Sequence, residues 1–203
     1  MAPLIEGWLL CGGEGRRMGH QDKGLVPMQG KPLAAWLIER LTPQLAVLSI
    51  NANRNLERYA HMLTAHERPP TVWPDDPDLG AYQGPLSGIV TAMRHTASPL
   101  VLFASCDTPH LPADLVERLA AARAEHDSDV AVPVTVDPDG TLRHHWVCVL
   151  IHRRCHASLE EDVRNGERRV GQWIQRQRWI GVSFPDATAF LNVNTPEVLH
   201  GQA

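Results

Sequence analysis

The sequence predicts an α/β fold in which a mostly parallel sheet is covered by helices on both faces. Strand-like apolar runs alternate with helix-like amphipathic runs from Gly7 to Val136. The strand-like runs are apolar throughout, as expected when both faces of a sheet are buried. Their spacing suits right-handed crossovers between parallel strands. At 203 residues, we expect a single domain spanning 1–203.

Each element of the parallel part has its own signal. The run GWLLC stops at two glycines and predicts the first strand, and Pro32 suits the first turn of the helix PLAAWLIERL. The predicted strands are Gly7–Cys11, Ala46–Ile50, Thr71–Trp73, Leu100–Ser105 and Val130–Val136. The predicted helices are Pro32–Leu41, Leu56–His66, Leu86–His95 and Leu111–His126.

The pattern changes in the C-terminal half. The turn signal DPDG (Asp137–Gly140) precedes the run Thr141–Ile151, which predicts a hairpin or an antiparallel excursion. The remaining predictions are a helix in two pieces over Glu160–Arg178, short strands at Trp179–Phe184 and Phe190–Val193, and a final helix beginning at Pro196.

Composition excludes several classes of function. A net charge of −4 argues against a general nucleic-acid surface, and no apolar run reaches the roughly 18 residues that span a bilayer. The first residues lack the basic region of a signal peptide. None of the four cysteines forms a CxxC pair, as is typical of buried thiols in a reducing compartment. We therefore expect a cytoplasmic protein without nucleic-acid or membrane partners.

Four polar clusters follow predicted strands: Gly12–Lys23, Asn51–Arg54, Asp75-Asp76 and Cys106–Pro109. Ligands of open parallel sheets bind at the carboxyl ends of the strands, so these clusters predict one shared site.

The first cluster belongs to the stretch LLCGGEGRRMGHQDKG, which fits neither common phosphate-binding template. Lys23 is not preceded by the glycine of a P-loop, and Met18 replaces the third glycine of a dinucleotide fingerprint. Met18 therefore argues against an NAD-dependent oxidoreductase. The glycines nevertheless allow backbone N–H groups to approach an anion, and Arg16, Arg17 and Lys23 add positive charge. Lys23 is one of only two lysines.

Three further candidates each have two interpretations. Asp107 follows the buried run LVLFAS and suits either a Mg²⁺ ligand or a helix N-cap. Asp75 and Asp76 lie in DDPD, a sequence that also favours a turn, and either aspartate could contact a ligand. Gly84 and Gly88 leave room for a flat base, or simply begin a helix.

Taken together, these motifs resemble the molybdenum cofactor guanylyltransferases, the MobA family. The matching pieces, which span nearly the whole chain, are LCGGEGRRMGHQDKG, GKPL, NANR, GPLSG, CDTP, GERRV and NVNTPE. Cys11 departs from the family, which usually has alanine there.

The resemblance implies a Rossmann-like three-layer sandwich that joins GMP from GTP to the phosphate of molybdopterin and releases pyrophosphate. It implies Mg²⁺ as a cofactor, with Asp107 as its ligand. The residues expected to bind GTP are Leu10, Cys11, Gly12, Gly13, Lys23, Asn51, Asp75, Gly84 and Asp107. Lys23, Arg17 and Asp107 are the expected catalytic residues, and Arg168, Arg169, Asn192 and Asn194 the expected acceptor-binding residues.

The implied organisation places the nucleotide on residues 1–110 and the acceptor on residues 111–203. Other cofactor-biosynthesis proteins and molybdoenzyme chaperones are further expected partners. Arg143, His144 and His145 are also candidate acceptor contacts, although the sequence favours a hairpin face for the two histidines. Two alternative functions remain open, a molybdopterin cytidylyltransferase and a non-catalytic nucleotide-binding regulatory module.

The predicted chemistry needs no general base. A phosphate monoester has a second pKa near 6, so the acceptor is mostly a dianion at about pH 7 and is itself the nucleophile. This agrees with a sequence that has no evident Ser-His-Asp or Cys-His constellation. The protein must hold two anions in line and neutralise charge at the phosphates.

Overall fold

Strands and helices alternate through residues 4–13, 21–63, 71–79 and 84–193, which are the residues that the computed structural model describes. The strands are β1 (Ile5–Leu10), β2 (Pro27–Met28), β3 (Lys31–Pro32), β4 (Val47–Asn51), β5 (Val72–Trp73), β6 (Leu100–Ser105), β7 (Val130–Val136), β8 (Leu142–His144), β9 (Val149–His152) and β10 (Trp179–Ser183). The helices are α1 (Leu33–Leu41), α2 (Leu56–Met62), α3 (Pro85–His95), α4 (Leu115–Glu125), α5 (His156–Arg164) and α6 (Val170–Ile174).

The central sheet has the order β10-β7-β9-β6-β1-β4-β5, and β8 extends it by pairing with β7. Strands β5, β4, β1 and β6 are parallel neighbours, and β7 pairs in parallel with β10. Strand β9 lies antiparallel between β6 and β7, and β8 forms an antiparallel hairpin with β7. The predicted parallel sheet with an antiparallel excursion is therefore confirmed.

Helices cover both faces of the sheet because alternate residues of each strand enter different cores. Leu9 of β1 packs with α1, α2 and α4, whereas Trp8 and Leu10 pack with α3, α5 and α6. The predicted three-layer sandwich follows from these two hydrophobic clusters. Helix α3 buries Leu86, Ile89 and Met93 completely, and the burial of each side chain stabilises the fold by roughly 2 kcal/mol. The position of α3 against β1 is therefore firmly fixed.

One predicted element is wrong, and another lies outside the described residues. The predicted strand Phe190–Val193 is wrong, since Ala187–Phe190 is a 3-10 helix that Asp186 caps by accepting the Thr188 N–H. A short apolar run does not by itself distinguish a strand from a packed turn. The final helix predicted from Pro196 lies outside the described residues.

None of the helices in the described part of the chain has the length and apolar character needed to cross a bilayer.

Candidate active site

The carboxyl ends of β1, β4 and β6 meet at one edge of the sheet. Leu10 of β1 is in register with Asn51 of β4 on one side and with Ser105 of β6 on the other. The chain continues these contacts past the strand ends, since the Cys11 N–H donates to the Asn51 carbonyl at 2.8 Å. The polar clusters after these strands are therefore neighbours, as the sequence predicts.

Lys23 and Asp107 form an ion pair at this edge. The Lys23 Nζ donates to Asp107 Oδ2 at 2.5 Å, and the two residues are 84 positions apart in the chain. The side chain of Lys23 is 24% exposed and that of Asp107 only 9%. The pair is therefore partly shielded from water. In such surroundings a charged group interacts more strongly with a bound anion than it does in water.

Lys23 owes its position to its two neighbours in the chain. The Tyr59 hydroxyl donates to Asp22 Oδ1 at 2.5 Å, and Asn55 Nδ2 donates to Asp22 Oδ2 at 2.9 Å. Burial raises the pKa of Tyr59, so its hydroxyl remains a donor. On the other side, a Cβ on Gly24 would stand 2.5 Å from the Tyr59 hydroxyl oxygen. The glycine thus lets the backbone lie directly against the tyrosine.

The second carboxylate oxygen of Asp107 fits a metal ligand. Oδ1 is buried and has no hydrogen-bond partner within the described ranges, and an unpaired buried oxygen is costly. The described residues contain no group of three or more His, Cys, Asp or Glu side chains that could hold a metal. A single carboxylate suits Mg²⁺, which takes its other ligands from phosphates and water.

A second polar group lies at the ends of β4 and β5, and we call Asn51, Asn53 and Asp75 the Asp75 cluster. Asn51 Nδ2 donates to Asp75 Oδ1 at 3.0 Å, and Asn53 Nδ2 donates to Asp75 Oδ2 at 2.9 Å. The Asp75 N–H in turn donates to Asn53 Oδ1 at 2.8 Å. The carboxylate of Asp75 is therefore held through both oxygens.

Glycines allow the Asp75 cluster to pack tightly against its neighbours. A Cβ on Gly12 would stand 3.2 Å from Asn51 Oδ1 and 3.1 Å from Asn53 Nδ2. A Cβ on Gly88 of α3 would stand 3.0 Å from Asn51 Cγ and closer still to its Oδ1. Asn51 is 2% exposed, so it has no room to move outward.

The sequence left open whether Asp75 or Asp76 faces the site. Asp75 belongs to the cluster described above, whereas the carboxylate of Asp76 pairs with Arg94 Nη1 at 2.7 Å. Gly84 begins α3 with a φ of +92°, a conformation that favours glycine. Its neighbour across the fold is Arg168, whose carbonyl oxygen lies 3.6 Å from where a Gly84 Cβ would stand.

A cavity of about 860 Å³ opens at the end of β6, and we call it the hairpin cavity. Its walls come from the end of β6, from the β7–β8 hairpin and from the segment after β10, and they include Ser105, Thr108, Arg143, His144, Trp146 and Asn192. His144 and Trp146 stack with ring centroids 4.6 Å apart. The cavity therefore combines polar groups with a flat aromatic surface.

His145 also lines the hairpin cavity but is held in the wall. Its ring stacks on Phe190 at 4.4 Å, and Nε2 lies 2.9 Å from the Thr135 hydroxyl. Burial, assisted by the nearby Arg143, lowers the pKa of His145 to about 4. The imidazole is therefore neutral near pH 7 and adds no positive charge to the cavity.

The structure places the predicted acceptor residues in different surroundings. Asn192 lines the hairpin cavity, and the next residue, Val193, donates its N–H to the Asp107 carbonyl at 2.8 Å. Arg168 lies near Gly84 instead, and its guanidinium donates to the Val163 carbonyl at 2.7 Å. Arg169 is exposed, and neither arginine lines the cavity. Arg17 and Asn194 lie outside the described residues.

Some residues at the site are absent from the predicted set. Asn53 lies in NANR, so its motif indicated the site. Gly88 of GPLSG was a candidate for contact with a base, and the structure shows it packed against Asn51. Arg54 of NANR also donates to the Gly13 carbonyl at 3.2 Å. Trp146 had no local signal, because its role depends on the hairpin that brings it beside His144.

Comparisons with known proteins identify the family. The profile of the MobA-like NTP transferase domain matches residues 7–180. A molybdenum cofactor guanylyltransferase from Cupriavidus taiwanensis is 40% identical, with 96% of this chain and 94% of the relative covered. Another from Bordetella petrii is 39% identical, with 94% and 93% covered.

Two solved structures share the fold. A molybdopterin-guanine dinucleotide biosynthesis protein A from Archaeoglobus fulgidus matches with a TM-score of 0.70 at 23% identity, covering 96% of this chain and 95% of that one. A 4-diphosphocytidyl-2C-methyl-D-erythritol synthase from Anaerococcus prevotii matches with a TM-score of 0.72 at 10% identity, covering 98% and 96%. The chain belongs to the MobA-like NTP transferase family.

Proposed function

We propose that the protein transfers GMP from GTP to the phosphate of molybdopterin, forming molybdopterin guanine dinucleotide and releasing pyrophosphate. The observation that carries this proposal is the Lys23–Asp107 pair at the end of β6. In the sheet, β6 lies between β7, which begins the hairpin of the hairpin cavity, and β4 and β5, whose ends carry the Asp75 cluster. This arrangement offers a place for a nucleotide on one side and for a second anionic substrate on the other. The relatives at about 40% identity are named for this activity.

The nucleotide occupies the half formed by residues 1–110. Its base and ribose lie near the Asp75 cluster and Gly84, and its phosphates lie over Leu10, Cys11, Gly12 and Gly13, within reach of Lys23. Arg17, which lies outside the described residues, remains a candidate catalytic cation. Backbone N–H groups and an ammonium together stabilise a triphosphate. Asp107 would hold Mg²⁺, which when bound would neutralise charge on the phosphates.

The acceptor occupies the half formed by residues 111–203. Its flat ring system lies in the hairpin cavity against the aromatic wall of His144 and Trp146, near Asn192. Asn194, Arg168 and Arg169 remain candidates for contacts with its anionic groups. We place the reaction in the cytoplasm, which agrees with four buried free thiols.

The reaction is a direct substitution at the α-phosphorus. An oxygen of the acceptor phosphate forms the new P–O bond, and the bond between the α-phosphorus and the bridging oxygen breaks, with pyrophosphate as the leaving group. The nucleophile is already ionised near pH 7, so the chain supplies no general base. Its residues hold the two anions in line and stabilise the developing charge.

The experiment is a pyrophosphate-release assay with each of the four nucleoside triphosphates, with and without molybdopterin. We expect release only with GTP and molybdopterin together. Faster release with CTP would instead identify a cytidylyltransferase. Binding of GTP without any release would identify a regulatory module. Asp107→Asn is the matched control, because it retains the shape of the side chain and removes its charge.

A further inference from the structure

Four residues of α3 form one face that we call the α3 stripe: Gly88, Thr91, Arg94 and His95. Their spacing of three and four residues places them on the same side of the helix. Gly88 contacts Asn51 of the Asp75 cluster. The other three contact the segment 73–79, which carries Asp75 and Asp76.

The segment 73–79 is attached to the α3 stripe on both sides of Asp75. The Trp73 ring stacks on His95 with centroids 3.8 Å apart. The Asp76 N–H donates to the Thr91 hydroxyl at 3.0 Å, and the Asp76 carboxylate accepts from Arg94 Nη1 at 2.7 Å. The backbone is therefore held on both sides of Asp75.

Arg94 makes more hydrogen bonds to this segment than the other residues of the α3 stripe. Its guanidinium also donates to both oxygens of Asp78, at 2.8 and 3.0 Å, and to both oxygens of Glu160, at 2.7 and 3.3 Å. All three of its nitrogens are used, and its side chain is 21% exposed. Bidentate pairs of this kind fix geometry more strictly than a lysine can.

Glu160 anchors Arg94 from the opposite side. It lies on α5, which packs against α3 in the same hydrophobic cluster. Arg164 of the same helix also contacts Glu160, at 2.8 Å, and Asp78, at 3.1 Å. Arg94 therefore links the segment that carries Asp75 to a rigid part of the fold.

We propose that Arg94 is a positioning residue for nucleotide binding, which acts through Asp76 to hold Asp75 at the geometry that the nucleotide requires. The inference rests on the proposed function in one respect, that Asp75 contacts the nucleotide. The ion pairs of Arg94 are with Asp76, Asp78 and Glu160 and not with Lys23 or Asp107. Arg94 therefore affects the affinity for nucleotide and leaves the chemical step largely unchanged.

The test compares Arg94→Gln and Arg94→Lys with the unaltered protein. Arg94→Gln raises the KM and the dissociation constant for GTP about tenfold, while kcat changes less than about threefold. Arg94→Lys restores part of the affinity, because it keeps the charge but loses the bidentate contacts. An unchanged GTP affinity in folded Arg94→Gln would overturn the proposal.

The matched control is Arg178→Gln. Arg178 also joins two carboxylates, Asp127 and Asp129, but does so away from the Asp75 cluster. It should alter thermal stability without changing the affinity for GTP. An equal loss of GTP affinity in this control would mean that Arg94 acts only through general stability, which refutes a positioning role.

A double-mutant cycle with Asp75→Asn measures the coupling between Arg94 and Asp75 in nucleotide binding. A residue that only stabilises the fold would show no such coupling. If Arg94 acts through Asp75, Arg94→Gln weakens nucleotide binding far less in the Asp75→Asn background. Additive losses would contradict the proposal. Binding is measured with all four nucleoside triphosphates and without acceptor. A preference for another nucleotide would thus refute the proposed function, while the effect of Arg94 would still be measured with that nucleotide.

Discussion

Gly88→Ala is the most direct test of how tightly the Asp75 cluster is packed. The added Cβ would stand 3.0 Å from Asn51 Cγ and 3.1 Å from Leu10 Cδ2, and still closer to Asn51 Oδ1. Asn51 is 2% exposed and donates to Asp75 at 3.0 Å and to the Trp73 carbonyl at 3.2 Å. Its amide must shift by roughly 1 Å to restore ordinary contact distances. Such a shift breaks both hydrogen bonds.

The expected magnitude is the balance of two opposing effects. Alanine favours a helix over glycine by about 1 kcal/mol. Loss of the Asn51–Asp75 hydrogen bond costs about 1.5–3 kcal/mol because the acceptor is charged, and overpacking costs about 1–3 kcal/mol. The net loss is roughly 1.5–5 kcal/mol. If this loss falls on nucleotide binding, the KM for GTP rises between about 10- and 5,000-fold.

The assay combines steady-state kinetics with thermal unfolding. A comparison is Gly171→Ala in α6, where the added Cβ would stand 3.1 Å from the Trp146 ring. That variant should raise the KM for molybdopterin and leave the KM for GTP unchanged. In an Asn51→Ala background, Gly88→Ala should cost little, because the clashing amide is gone. An unchanged KM for GTP in Gly88→Ala, or strict additivity with Asn51→Ala, would refute the reasoning.

Three further predictions concern charge. Asp107→Asn should reduce kcat by about a thousandfold with little change in melting temperature, and near-normal turnover would contradict its role. Lys23→Gln should lower both stability and turnover, because it leaves the Asp107 carboxylate without the ammonium that pairs with it. Adding Asp107→Asn to this variant should restore stability, measured by denaturation, but not turnover. The free energy of unfolding should fall as the pH drops from about 6.5 towards 4, because His145 binds a proton in the unfolded chain but not in the folded protein. In His145→Gln, the free energy of unfolding measured by denaturation should depend less steeply on pH.

The parallel part of the fold was predictable because its signals are local. The strands Leu100–Ser105 and Val130–Val136 agree with the structure residue for residue. Continuous apolar runs bounded by turns leave few alternatives to buried strands. The meeting of the polar clusters at one edge of the sheet was predictable for the same reason, because the carboxyl ends of parallel strands all lie at that edge.

The rest depends on contacts between distant residues. The sequence treats Asp75 and Asp76 alike, and only the packing of α3 separates them, since Arg94 pairs with Asp76 while Asn51 and Asn53 hold Asp75. The segment Phe190–Val193 resembled a strand, but it has no strand partner in the described chain. Its backbone is instead held by the contact between Val193 and Asp107.

The two sides of the candidate site are held in place by different forces, and this has a measurable consequence. The backbone of Asp107 is positioned by the end of β6 and by a hydrogen bond from Val193, which salt hardly affects. Its carboxylate pairs with Lys23, but this pair is partly buried and is therefore only weakly screened. Asp75 depends partly on ion pairs of Arg94, one of which reaches the half-exposed Asp78. Such pairs weaken as ionic strength rises.

We therefore expect salt to raise the KM for GTP through two routes, direct screening of the triphosphate and loosening of the Arg94 contacts. The second route is absent in Arg94→Gln, so the KM of this variant should depend less steeply on salt. Steady-state kinetics between about 50 and 500 mM NaCl measure both slopes. Equal slopes would show that the ion pairs of Arg94 do not control the position of Asp75, because direct screening is the same in both proteins.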